Sequence, residues 1–66
     1  MMHIIVHLRS GVQRSNFKKP YHASEWLREI KIKSDGLVTV KIGQSDIHNF
    51  KNINNCISWL NLQKTE

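Results

Sequence analysis

Only one cysteine, Cys56, occurs in the chain. No intrachain disulfide can form, and no cysteine-rich zinc motif exists. A lone cysteine also fits a reducing, cytosolic setting. Proline occurs once, at Pro20, and glycine three times, so there is no glycine-rich phosphate loop and no low-complexity linker. Acidic residues are few, five against ten Lys and Arg. The internal carboxylates Glu25, Glu29, Asp35 and Asp46 make no recognisable catalytic pair. No run approaches the roughly 18 apolar residues of a membrane helix. The opening "MMHIIVHLRS" lacks a charged lead-in and a small-residue cleavage site, so it reads as structure rather than as a secretion signal.

What remains is a single small domain of 66 residues with a net charge of +5. A domain of this size hides only about 60% of the surface its unfolded chain exposes. With no disulfide available, self-association is one route to added stability. The charge is uneven: residues 1–24 carry Arg9, Arg14, Lys18 and Lys19 with no acid, whereas residues 25–66 carry six basic and five acidic residues. Such asymmetry is an argument about polyanionic partners rather than about fold.

Alternation is the main structural signal. Met2, Ile4, Val6 and Leu8 face one way, and His3, Ile5, His7 and Arg9 the other, which predicts a strand closed by a Ser10-Gly11 turn. Val12–Phe17 follows as its hairpin partner. Pro20 interrupts the pattern, with one helical turn at His22–Glu25. A helix over Ala23–Ile30 is the alternative, since Trp26, Leu27 and Ile30 lie close on a helical face. We favour an extended reading, because Ile30, Lys31, Ile32 and Lys33 alternate with period two into the corner Ser34-Asp35-Gly36, and Leu37–Ile42 alternates beyond it. In the tail, Phe50, Ile53, Ile57 and Leu60 have helical spacing, but five asparagines oppose a helix. The favoured reading is a strand at Asp46–Phe50, a turn through Asn52–Asn55 and a closing strand at Cys56–Leu60, with residues 62–66 a disordered tail.

The expected fold is therefore all-β, a small antiparallel barrel of five to six short strands. The layout "IIVHLRSGV", then "LVTVKIG", then "FKNINNCISWL" resembles SH3-like and Sm-like barrels, and is similar to short proteins of phages and prophages. No nucleotide-binding motif of those barrels carries over to these residues. If the tail is a helix, the expectation becomes a three-stranded antiparallel sheet packed on a C-terminal helix.

The expected function is non-catalytic binding of DNA or RNA through a basic strand face. Its candidate contacts are Arg9, Arg14, Lys18, Lys19, Lys31, Lys33 and Lys41, assisted by Thr39 and Tyr21. The alternative is a protein-interaction module, a homo-oligomer subunit or a modulator of a host protein, using Trp59, Ile57 and Ile5. His3 and His7 on one strand stand about 13 Å apart, too far for one metal ion. Cys56 lies in an apolar segment and reads as structural. The expectations are no enzyme, no cofactor, no metal, no small-molecule substrate and no membrane partner.

Overall fold

The computed structural model describes residues 1–63. Its elements in chain order are β1 (Met2–Leu8), β2 (Gly11–Phe17), α1 (Pro20–Lys33), β3 (Leu37–Ile42), β4 (Asp46–Phe50) and α2 (Ile53–Leu62). The strands form one antiparallel sheet in the order β2-β1-β3-β4. Both helices lie on one face of it, and the core fills the space between. Ile4, Val6, Val38 and Val40 rise from the two central strands to meet Ala23 and Leu27 of α1 and Ile53, Cys56 and Leu60 of α2.

The fold is thus α+β with an open sheet, not the five- to six-stranded barrel expected. β2 and β4 are free edges, so the sheet does not close. The alternative of a sheet backed by a C-terminal helix is the one realised, with one more strand and one more helix.

Two segments account for the correction. Residues 26–33 are helical, not the first strand of a hairpin. Pro20 suits the first helical turn, where no amide hydrogen is needed. Ala23 and Leu27, one turn apart, are fully buried, and Trp26 and Ile30 pack beside them. The period of two at Ile30–Lys33 is incidental: Ile30 packs inward while Ile32 is 83% exposed. Lys31 and Lys33 fall in the last turn, where cations complement the helix dipole.

The closing strand at Cys56–Leu60 is also helical. Ile53, Cys56, Ile57 and Leu60, at the i, i+3, i+4, i+7 spacing, are all buried. Asn52 is the N-cap, its side chain accepting the Asn55 amide at 2.8 Å. Asp35 has a second role here. Its carboxylate accepts the Gly36 amide at 2.8 Å and the Ile53 amide at 2.9 Å, tying the α1–β3 link to the start of α2. Of the tail expected at 62–66, Leu62 ends α2 and Gln63 is its C-cap; the rest lies outside the described residues.

The two halves of the chain repeat one ββα unit. Asn-Phe-Lys, seven residues, then Trp-Leu occurs at Asn16–Leu27 and again at Asn49–Leu60. The packing repeats too. Phe17 meets Trp26 at 5.4 Å with the rings tilted 51°, and Phe50 meets Trp59 at 5.5 Å and 47°. Phe17 pairs with Met2 and Phe50 with Val38, so exchanging the halves carries the Met2–Ile42 pair of the central ladder onto Val38–Val6. An approximate two-fold axis therefore passes through the sheet at the Ile4–Val40 pair. The first hairpin is the longer, with 14 residues between Met2 and Phe17 against 11 between Val38 and Phe50.

Candidate nucleic-acid interface

Since both helices cover one side, the other side of the sheet is open. Its side chains follow from the ladder. One row runs Asn16, His3, Lys41, Ile47; the next Arg14, Ile5, Thr39, Asn49; the third Val12, His7, Leu37. The inward partners of these residues build the core, so alternation fixes the outward set.

The open face has three chemical features. Arg14 and Lys41 supply positive charge in adjacent rows. Hydrogen-bonding groups lie between them: His3 bonds Asn16 through Nδ1, and the Thr39 hydroxyl donates to Asn49 Oδ1 at 3.0 Å. Apolar groups are interspersed, with Val12, Leu37 and Ile47 each more than half exposed. Among the described residues no carboxylate belongs to this face. Glu25 and Glu29 are on α1 and Asp35 is bonded to the start of α2. Asp46 pairs with Ile42 on the inward side of the ladder.

The candidate contacts divide. Arg14, Thr39 and Lys41 share the open face, and Ile5 stands at its centre. Arg9 is exposed in the β1–β2 turn at one end of the sheet, and Lys18 and Lys19 are exposed in the link from β2 to α1. Lys31 and Lys33 leave this set because their segment is helical. Lys31 Nζ instead donates to Asn54 Oδ1 at 2.7 Å, joining α1 to α2. Tyr21 is on the first turn of α1 with its ring 4.7 Å from His22.

The interface candidates also divide. Ile57 is buried, so it offers no free surface. Trp59 is half-buried, its ring 4.7 Å from His48 and 5.5 Å from Phe50. Cys56 is fully buried, and desolvation pushes its thiol up to about 12. A thiol so placed stays protonated and unreactive.

Residues the sequence pattern did not single out are Val12, Asn16, Leu37, Ile47, Asn49 and Lys51. Parity on β2, β3 and β4 was the available signal for the first five, and the internal repeat for Lys51.

Among the described residues, no three His, Cys, Asp or Glu side chains converge on a point that would hold a metal ion. No helix among them is long and apolar enough to cross a membrane. No protein-family model, curated protein or solved structure matches the chain.

Proposed function

We propose that the chain is a non-catalytic module that binds nucleic acid on the open face of its sheet. The observation that carries this reading is that, among the described residues, no acid lies on a face that bears Arg14 and Lys41. Phosphates would meet these two side chains and the rim at Arg9, Lys18 and Lys19. The His3 and His7 rings, with Ile5 between them and Val12 and Leu37 on either side of His7, offer surface to bases and sugars. Single strands suit such a platform, because their bases are free to lie flat on it.

The exposed Val12, Leu37 and Ile47 also motivate a second reading, self-association through the same face. Charge decides between the two. Stacking two copies face to face sets Arg14 and Lys41 against their own kind with no acid to offset them, and a polyanion meets no such repulsion.

The test is an anisotropy titration with short labelled single- and double-stranded DNA and RNA. Micromolar binding at about 50 mM salt is expected. It should weaken about 20- to 50-fold by about 200 mM if three or four phosphates are contacted. Arg14→Glu with Lys41→Glu should abolish it while the circular dichroism spectrum is unchanged. The absence of any binding at the lower salt overturns the proposal. So does a stable dimer in sedimentation whose contacts cover the open face.

A further inference from the structure

The repeat keeps some residues for packing and others for no packing reason. Phe17 and Phe50, Trp26 and Trp59, and Leu27 and Leu60 are identical because they build equivalent parts of the core. Asn16 and Asn49 are also identical, and so are Lys18 and Lys51, yet all four are exposed. Each Asn closes an edge strand on the open face, and each Lys directly follows that strand. The approximate two-fold axis puts the two lysines at opposite corners of the sheet. Lys18 extends β2 past the Phe17–Met2 pair, and Lys51 extends β4 past the Phe50–Val38 pair.

We infer that the two Asn-x-Lys segments are matching phosphate-binding ends of one diagonal track for a single nucleic-acid strand. The inference rests on the nucleic-acid reading of the open face and assigns it direction and length. Strand geometry sets the lysine Cα atoms about 25 Å apart, three strand spacings across and roughly six residues along. The diagonal between them runs over His3 and Thr39, one on each side of the axis, with Asn16 and Asn49 beside it. A strand stretched to roughly twice the ~3.4 Å rise of a duplex strand spans that distance in about four nucleotides. That is the lower end of the site sizes of small single-strand-binding domains, about 4–16 nucleotides.

A role for the asparagines in pinning the edge strands would explain Asn16 and Asn49. It would not explain why a lysine two positions on is kept in both halves. Solvation alone does not require that match either, because the connecting segments otherwise differ: Lys19 has Asn52 as its counterpart, and Pro20 has Ile53.

The test combines oligonucleotide length with charge deletion in the intact chain. Oligothymidylates of two, three, four, six and eight nucleotides are titrated at about 50 mM salt. Affinity should rise steeply up to about four nucleotides and then only slowly. Lys18→Ala and Lys51→Ala should each weaken binding of the eight-nucleotide strand three- to tenfold, by equal factors. Each should lower the salt slope by about 0.7. Lys→Arg at either position should restore both quantities, and Arg28→Ala, which removes a charge from the helix side, should change neither. Binding that persists while the two lysine variants behave like wild type, or while only one matters, overturns the track and leaves the open-face reading standing. Affinity that saturates at two nucleotides does the same. Failure of wild type to bind any oligonucleotide overturns both.

Discussion

Gly36 shows how one residue's requirement can be mistaken. In sequence the Asp-Gly pair reads as the corner of a tight hairpin. In the fold the pair leads from α1 into β3, and what Gly36 provides is space. A Cβ there would overlap the backbone carbonyl of His7, with the carbonyl carbon only 2.9 Å away. That neighbour is part of the central ladder and has little freedom to move. Gly36→Ala should therefore destabilise by about 3 kcal/mol, at the upper end of overpacking costs. For a domain with about 3–10 kcal/mol in total, thermal unfolding should show a severe drop in Tm. A Tm within 3 °C of wild type, where a change of 1 kcal/mol in so small a domain moves it by about 4–8 °C, would show that the β1–β3 approach is slacker than described. Gly43 differs in kind, because its φ of 69° is left-handed and favours glycine whatever the space around it. Cys56 makes a second residue-level statement. Burial raises its thiol from an ordinary 9.0 to about 12, so between those values the unfolded chain ionises while the folded one does not. The thiol's contribution to stability is complete below pH 9 and falls as pH rises towards 12. Urea midpoints measured from pH 8 to 10.5 should decline more in wild type than in Cys56→Ala, once that variant's lower baseline is subtracted.

The two helices are the elements the sequence disguised. In α1 the apolar positions satisfy both periods at once: Ile30 and Ile32 fit a strand, while Ala23, Leu27 and Ile30 fit a helix. Burial resolves the conflict, because the helical set meets the core and Ile32 meets water. A single sequence carries the periods without saying which set finds a partner. Around α2 the five asparagines of the tail spoke against a helix by propensity, yet one of them, Asn52, is the cap that starts it. β1, its hairpin with β2, and β3 were legible because their alternation or turn chemistry had no competing helical reading, whereas β4 was read as a strand against a helical alternative for the whole tail. The start of α2 gives a test at this scale. Two side chains each satisfy one of its free amides, Asn52 that of Asn55 and Asp35 that of Ile53. Asn52→Ala should cost about 1 kcal/mol, and Asp35→Ala about 1–2 kcal/mol, because its carboxylate also holds the Gly36 amide. Urea unfolding should show lower midpoints with unchanged slopes. An Asp35→Ala chain as stable as wild type would mean that the contact to Ile53 contributes nothing.

For the whole molecule, only part of the open face could be read from the sequence. The expected surface was a lysine-bearing strand face. β1 lies beside β3, so Thr39 and Lys41 stand with His3 and His7. Lys31 and Lys33 fell out of the set with the strand that was to carry them. The wider face, with Asn16 and Arg14 on β2 and Ile47 and Asn49 on β4, needed the strand order, which no local pattern encodes. The repeat was present in the sequence at a separation of 33 residues, but five identities within a 12-residue stretch acquire meaning only when the packing repeats as well.

The approximate two-fold axis has a consequence for how the chain is threaded. Three residues, Ser34 to Gly36, carry α1 of the first unit into β3 of the second. Under the axis the return from α2 to β1 is the counterpart of that link, and α2 stops at Leu62, four residues short of the counterpart of Lys33. A direct bond from Glu66 to Met1 would leave five residues between Leu62 and Met2, more than the natural crossing uses. A circular permutant that begins at Ser34 and ends at Lys33 should then fold to the same sheet order, with the same dichroism and a Tm within about 5 °C, a shift of roughly 1 kcal/mol. A permutant that fails to fold cooperatively would show that the halves are alike in packing but not interchangeable in order. If it folds, the position at which the polypeptide starts is arbitrary with respect to its architecture, and the sheet can be entered from either half.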